Sequence, residues 1–220
     1  MPIFLPTYDN LKKASAVLKK GGIIAYPTET FYGLGVDPFN EDALKKLFEL
    51  KGRGFDKPVS ILVKDENALA SIVEEIPSVA KRLFKRFWPG PLTIVFKAKK
   101  NISDILTAST GNIGVRVSSS PVAKKLLDII DAPITATSAN PSGEKSPVTP
   151  QEVERYFGDK LDMIIDGGEL EGKLGSTIVD VTEGSIKILR QGEIPEEKLY
   201  RLLKNSTISD YADKRLDYTD

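Results

Sequence analysis

The sequence predicts an α/β protein in which a single twisted sheet of parallel and antiparallel strands is covered by helices. Two observations support this prediction. Helical hydrophobic patterns alternate with short apolar runs along most of the chain, and capping residues, glycine or proline separate the two kinds of segment. We expect one domain at 1–195, followed at 196–220 by a short helix and a polar, partly disordered tail.

Five helices are predicted from hydrophobic periodicity and from side chains that can accept hydrogen bonds from a first helical turn. Two of these caps are followed by proline, which favours the first position of a helix. We expect the first helix to end at Gly21-Gly22 and the second to end before Lys51. In chain order the predicted caps are Asp9, Asn40, Ser78, Ser120 and Thr149.

Eight apolar runs are short enough to be buried strands, and turn or cap residues bound them. They lie at 23–26, 59–63, 92–96, 113–117, 134–138, 163–165, 177–181 and 186–190. Gly33-Leu34-Gly35 lacks the third glycine of a dinucleotide-binding fingerprint, and we interpret it as a turn. The segment 167–174 resembles a phosphate-binding P-loop, but Leu174 stands where a hydroxyl residue would be needed, so we do not assign that function.

The chain contains neither histidine nor cysteine. This excludes an imidazole general base, a Ser-His-Asp triad, a thiol nucleophile, a disulfide and the usual zinc sites. Catalysis must therefore use Lys, Arg, Ser, Thr, Tyr or carboxylates. The formal net charge is zero, which argues against a dedicated nucleic-acid-binding protein but permits a basic pocket for a small anion. With no signal-like start and no apolar run near the ~18 residues that span a bilayer, we expect a cytoplasmic protein without a membrane partner.

A cluster of cations follows the second predicted helix. Lys51, Arg53 and Lys57 lie in a short segment that two glycines loosen. If the helix has ended, residues two apart point the same way, and the cations can converge as a clamp for polyphosphate. The alternative is a solvated helix end on which positive charge is favourable.

Small polar residues and arginines are concentrated at strand ends. Thr28 follows the strand at 23–26, and Ala136, Ser138 and Asn140 share one side of an extended segment by alternation. These positions could approach a ligand closely, or they could only build turns. Arg116 and Arg190 lie at strand ends, where arginines are usually surface residues or salt-bridge partners. Two of them beside the hydroxyl residues at 176–177 favour a binding role instead.

Seven motifs in order resemble the YrdC-like threonylcarbamoyl-adenylate synthases. The motifs are AYPTETFYGLG, KGR followed by DKP, WPGPLTIVF, GVRV, TSANPSG, STIVDVT and ILRQG, and together they cover residues 20–192. The resemblance implies a YrdC-like fold around a basic cavity. It also implies a nucleotidyltransferase that joins L-threonine, bicarbonate and ATP into threonylcarbamoyl-adenylate and pyrophosphate for tRNA modification.

The same resemblance implies a role for each matching residue. Lys51 and Arg53 would be catalytic, and no residue would hold a metal, since magnesium would arrive with ATP. The threonine-binding residues would be Thr28, Arg116, Ala136 and Ser176. The ATP-binding residues would be Arg53, Lys57, Asn112, Ser138, Asn140, Ser146 and Arg190.

The implied partners are the substrates, the downstream machinery that transfers the threonylcarbamoyl group to tRNA, and weak contact with tRNA itself. The chain departs from many relatives at Leu62, where they carry histidine, and at Gly54, where they carry proline. The alternative function is that of a non-catalytic relative that binds double-stranded RNA or tRNA in the same cavity.

Overall fold

A computed structural model describes residues 3–202, and within that range ten strands form one mixed sheet. The strands are β1 (Ile3–Phe4), β2 (Ile24–Pro27), β3 (Tyr32–Gly35), β4 (Ser60–Leu62), β5 (Leu92–Lys97), β6 (Asn112–Arg116), β7 (Ile134–Ser138), β8 (Met163–Ile165), β9 (Thr177–Asp180) and β10 (Lys187–Arg190). Their order across the sheet is β1-β8-β2-β3-β7-β4-β6-β5-β9-β10. The predicted fold class, a mixed sheet with helices, is confirmed.

Six α-helices connect the strands in the described part of the chain. They are α1 (Tyr8–Lys19), α2 (Glu41–Lys51), α3 (Ser78–Phe87), α4 (Asp104–Thr107), α5 (Pro121–Ile130) and α6 (Pro150–Phe157). Two 3-10 helices occupy Glu66–Ser71 and Gly158–Lys160. Helical residues also occur at 196–202, near the expected last helix, whereas the expected tail beyond 202 lies outside the described residues. The domain boundary at 195 stays a prediction.

Three of the five predicted caps are confirmed, because the side chains of Asn40, Ser120 and Thr149 accept hydrogen bonds from the first turns of α2, α5 and α6. The prediction for Asp9 is wrong: Thr7 caps α1, and Asp9 lies inside the first turn. The prediction for Ser78 is also wrong, because Ser78 is already helical and no side chain caps α3.

The interpretation of Gly33-Leu34-Gly35 as a turn is wrong as well, because these residues belong to the buried strand β3. Strand β3 lies between β2 and β7 and pairs antiparallel with both. Glycine is favoured here because a Cβ atom on Gly35 would lie 3.0 Å from the Tyr26 ring. The two-residue strand β1, which the sequence analysis missed, pairs with β8 at the edge of the sheet.

Two hydrophobic layers cover the two faces of the sheet. On one face, helices α1 and α5 pack on Ile24, Leu62 and Ile134, among others. On the other face, α2 and α3 pack on side chains that include Ile61, Val115 and Ile94. Within residues 3–202, no helix is both long enough and apolar enough to cross a bilayer.

Candidate functional site

A cavity of ≈ 310 Å³ lies on the sheet face that α1 and α5 cover only in part. Strand register explains its position. Ser60 of β4 pairs with Ala136 of β7, and Ser138 pairs with Gly33 of β3, so the side chains of Ser60, Ala136 and Ser138 point to one face. Leu62 and Ile134 point to the same face two residues away, but they lie beneath the helices. The cavity is therefore the uncovered continuation of a core layer.

The remaining wall of the cavity follows from the same alternation. Pairing between β6 and β5 puts Arg116 beside Thr93, and Thr93 pairs with Ile178 of β9, which in turn pairs with Arg190 of β10. All four residues line the cavity. Glycine at position 114 leaves room for the Ser60 side chain in this wall, because a Cβ atom there would lie 2.6 Å from the Ser60 hydroxyl.

Three arginines bring positive charge to the cavity: Arg53, Arg116 and Arg190. Burial lowers the pKa of both Arg53 and Arg190, and the nearby Arg116 adds to the lowering at Arg190. Arg53 donates from Nε to the Lys57 carbonyl (3.1 Å) and from Nη2 to the Pro58 carbonyl (2.8 Å). Backbone carbonyls thus orient Arg53 without neutralising it, which leaves its charge available to an anion.

The loop after β2 is a turn built on hydroxyl groups. Thr28 donates from Oγ1 to the Phe31 carbonyl (2.7 Å) and accepts from the backbone N–H of Thr30 (3.1 Å). Its Oγ1 also lies 3.0 Å from the hydroxyl of Thr30, to which Arg116 donates from Nη1 (3.3 Å). Thr28 therefore builds the turn as well as lining the cavity, and Thr30 connects the turn to the guanidinium.

Ser176 and Arg190 close the opposite side. The Ser176 hydroxyl lies 2.7 Å from that of Thr93, and the Ser176 carbonyl accepts from Nη2 (2.8 Å) and Nε (3.2 Å) of Arg190. Tyr32, which also lines the cavity, anchors the loop after β8, since its hydroxyl donates to the Gly168 carbonyl and accepts from the Gly167 N–H, each at 2.8 Å. Burial raises the pKa of Tyr32 to about 12, so the phenol stays protonated.

Lys51 takes a different position from the one the cation cluster suggested. It is the last residue of α2, not the first one past it, and only 3% of it is exposed. Its Nζ donates to the carbonyls of Ser138 (2.5 Å) and Asn140 (2.6 Å), so it supports the turn after β7 from beneath. Burial, with the neighbouring Arg53 charge as a smaller cause, lowers the pKa of Lys51 to about 7. Gly52, in the left-handed conformation with φ 58°, ends the helix and redirects the chain toward Arg53.

Asn140 is also buried beneath the cavity wall instead of forming part of it. Its Nδ2 donates to the carbonyls of Pro141 and Glu144, each at 2.8 Å, while its Oδ1 is buried without a hydrogen-bond partner. The predicted alternation of Ala136, Ser138 and Asn140 stops at Ser138 because the strand ends there. Asn140 therefore shapes the turn.

Two predicted site residues lie outside the cavity wall. Lys57 is exposed, and the contact it makes toward the site is through its backbone carbonyl, which accepts from Arg53. Asn112 is on the same strand as Arg116, four residues earlier, and lines a separate hollow beside Lys97. Along a strand, four residues correspond to about 13 Å.

The structure brings eight of the predicted residues together around the cavity: Thr28, Arg53, Arg116, Ala136, Ser138, Ser146, Ser176 and Arg190. The sequence analysis did not select Thr30, Ser60 or Thr93, all of which line the same cavity. A signal for the last two exists in the sequence, because each is a hydroxyl residue within an otherwise apolar buried run. Their pairing partners, however, are distant in the chain.

Comparison with known proteins gives consistent matches over most of this chain. The Sua5_yciO_yrdC family model, described as telomere recombination, matches residues 16–192. Threonylcarbamoyl-AMP synthase of Pyrococcus abyssi is 38% identical over 193 residues, which are 88% of this chain and 57% of that protein. A putative threonylcarbamoyl-AMP synthase of Methanocaldococcus jannaschii is 37% identical over 88% of this chain and 92% of its own length.

The crystal structure of Pyrococcus abyssi Sua5 complexed with L-threonine is similar to this fold. It matches with a TM-score of 0.85 and 38% identity, over 87% of this chain and 56% of the crystallised one. The chain thus spans little more than half the length of the Pyrococcus protein, whereas it spans nearly all of the Methanocaldococcus protein.

Proposed function

Because the chain belongs to the Sua5/YciO/YrdC family, we propose that it is a nucleotidyltransferase that condenses L-threonine, bicarbonate and ATP into threonylcarbamoyl-adenylate and pyrophosphate. The product would supply the machinery that transfers the threonylcarbamoyl group to tRNA, in the cytoplasm. The observation that carries this proposal is the match to the L-threonine complex of the Pyrococcus protein, combined with a cavity whose wall is built from arginines and hydroxyl residues.

Threonine would bind at the inner end of the cavity. Arg116 offers a guanidinium for the carboxylate, and charge-assisted hydrogen bonds of this kind are the stronger ones. Thr28, the backbone at Ala136, and Ser176 surround the same space and would contact the rest of the amino acid. The Ser176 hydroxyl, shared with Thr93, provides both a donor and an acceptor.

ATP would bind toward Arg53 and Arg190, with Ser138 and Ser146 along its path. Magnesium would arrive with the nucleotide, bound by phosphate oxygens and water. Lys57 and Asn112, which lie outside the wall, would be reached only by parts of the nucleotide that extend beyond the cavity. Lys51 and Asn140 would act through the turn after β7 that they support, and not by touching phosphate.

The chemistry suits a chain that has no histidine or cysteine. The threonine amine first joins bicarbonate to form a carbamate, with the release of water. The carbamate is an anionic nucleophile, and its oxygen attacks the α-phosphorus while the bond to pyrophosphate breaks. Positioning and cationic stabilisation can supply most of the catalysis in such a transfer. Arg53, held by two carbonyls, is a preorganised cation of the kind that stabilises developing negative charge.

The proposal is tested by measuring ATP turnover. With L-threonine and bicarbonate present, the protein should release pyrophosphate and form threonylcarbamoyl-adenylate, identified by mass. Omitting either substrate should abolish pyrophosphate release. Release that is independent of threonine or of bicarbonate would contradict the proposal, and would indicate another acyl or nucleotide substrate for the same cavity.

A further inference from the structure

Glu29 lies behind the cavity wall and places negative charge next to Arg116, one of the three arginines that line the cavity. Its Oε1 lies 3.7 Å from Nε of Arg116, and the side chains are 14% and 8% exposed, respectively. Within residues 3–202, Glu29 is the one carboxylate that forms an ion pair with a cavity arginine. A carboxylate so close to the guanidinium should weaken anion binding unless it performs another task.

The two atoms that face each other in this ion pair both lack a hydrogen bond. Oε1 of Glu29 and Nε of Arg116 are buried and have no hydrogen-bond partner. Leaving buried polar atoms unpaired is costly, by about 1–3 kcal/mol for each group and more for a charged one. At 3.7 Å the pair is ~0.8 Å too long for a charge-assisted hydrogen bond. A small shift of the guanidinium toward Glu29 would satisfy both atoms at once.

The Glu29 carboxylate is held from behind, whereas Arg116 is held loosely. Ser118 donates its hydroxyl to Oε2 of Glu29, and the same hydroxyl accepts from the N–H of Ser120 (3.2 Å). Ser120 caps α5 and donates to the Pro27 carbonyl (3.1 Å). In contrast, within residues 3–202 the Arg116 side chain makes one hydrogen bond, from Nη1 to the Thr30 hydroxyl at 3.3 Å. The guanidinium is therefore the partner that can move.

We propose that Glu29 is a positioning residue for the binding of the amino-acid carboxylate. When that carboxylate binds on the Nη side of the guanidinium, Glu29 attracts Nε and fixes the orientation of Arg116. The bound anion and Glu29 then lie on different edges of one planar group, and each takes the N–H donors that face it. This inference rests on the proposed function. It adds that the affinity for threonine depends on a carboxylate that need not touch threonine.

The test compares L-threonine with L-threonine amide, which lacks the carboxylate charge, by calorimetry without ATP. In Glu29→Gln, a neutral bond replaces the charge-assisted one to Nε, so we expect affinity for threonine to fall about tenfold, which is ~1.4 kcal/mol. Affinity for the amide should stay unchanged, and the KM for ATP should stay within about twofold. A general loss of structure would affect all three measurements together.

Ser118→Ala provides a second variant that keeps every charge in the cavity. It removes the hydroxyl that holds the Glu29 carboxylate, so we expect a smaller loss of threonine affinity in the same direction. Glu75→Gln, on the exposed segment before α3, is the matched control for the loss of one negative charge and should behave as the unmodified protein does. Because Ser118→Ala leaves Glu29 and Arg116 in place, the question can be decided even if Glu29→Gln does not fold.

Two outcomes would overturn the inference while leaving the proposed function standing. If Glu29→Gln bound threonine more tightly, Glu29 would act only as an opposing charge. If both variants retained the discrimination between threonine and its amide that the unmodified protein shows, Glu29 would have no part in carboxylate binding. If the unmodified protein failed to bind threonine, the proposed function itself would fail, and the positioning role would fall with it.

Discussion

Two halves of one sheet face differ in what covers them and in what they do. On β4, Leu62 is buried beneath α1 and α5, whereas Ser60, two residues earlier on the same face, lines the cavity. On β7, Ile134 and Ala136 are divided in the same way. The strands and the register are common to both halves. The difference shows that helix coverage and side-chain size, not topology, separate the core from the cavity in this sheet.

Truncating the covered half should produce the largest loss of stability. Leu62→Ala removes a fully buried side chain from the layer beneath the helices, and such changes cost about 2–5 kcal/mol of unfolding free energy. Ser60→Ala, on the same strand and face, should change the unfolding free energy by less than ~1 kcal/mol, because its side chain faces the cavity and little packing is lost. Denaturant unfolding of the two variants makes the comparison, and equal losses would show that the halves are not distinct.

A substitution in the open half should reverse this pattern. Arg53→Ala removes a preorganised cation and should lower turnover about 10²–10³-fold, by analogy with removing one oxyanion donor. Its unfolding free energy should change little, because its hydrogen bonds to two carbonyls and its attraction to Asp56 are at a solvent-accessible position. Lys46→Ala, an exposed lysine of α2, is the control. An Arg53→Ala protein that is less stable but fully active would show that the cation cluster only stabilises the helix end.

Lys51 supports the turn after β7, next to the open half, and its titration reports on that buried contact. Because its pKa is lowered to about 7 in the folded state, the unfolded chain binds more protons between roughly pH 7 and 10. Stability should therefore rise with pH in that window, by at most about 1.4 kcal/mol per pH unit from this group. The contribution is lost as the pH falls through the folded-state pKa.

Lys51→Met should lack this component of the pH dependence. The measurement is the unfolding free energy of both proteins from pH 7 to 9.5, at constant ionic strength. If their pH profiles ran parallel, Lys51 would titrate normally, and the buried position between Ser138 and Asn140 would not perturb it. Turnover of Lys51→Met should also fall, since the turn after β7 loses its support.

The smallest expected effect concerns the apolar part of the open half. Ile178 and Val59 line the cavity beside the polar groups, so the methyl group of a bound threonine would have apolar partners. Serine should bind more weakly by about 1 kcal/mol, the value of one buried methyl group. Calorimetry with threonine, serine and valine tests this. Equal affinities would show that the cavity does not select the side chain of its amino acid.

Local signals were sufficient for much of the fold. The caps Ser120 and Thr149, each followed by proline, and the strand Ile134–Ser138 could be predicted because their determinants lie within a few residues. Strand β3 could not, because Gly33 and Gly35 indicate a turn when considered locally. Their function is to fit beside Tyr26 and opposite β7, which lies about a hundred residues away in the chain.

The same distinction applies to the candidate site. Arg53, Arg116 and Arg190 were identified from residue type and position at the ends of elements, and all three line the cavity. The burial of Lys51 could not be predicted, because it depends on carbonyls 87 and 89 residues further along the chain. The contact between the hydroxyls of Thr93 and Ser176 likewise depends on the register between β5 and β9.

The shared face has a consequence for how this fold can change over evolution. Because core and cavity positions follow each other on the same face of the same strands, a single small-to-large or large-to-small exchange on β4, β6 or β7 would move the cavity wall by one side chain. Gly114 illustrates the sensitivity, since one added carbon would press on Ser60. New substrate sizes are therefore accessible to descendants of this chain without a new loop, a new helix or any change in strand order.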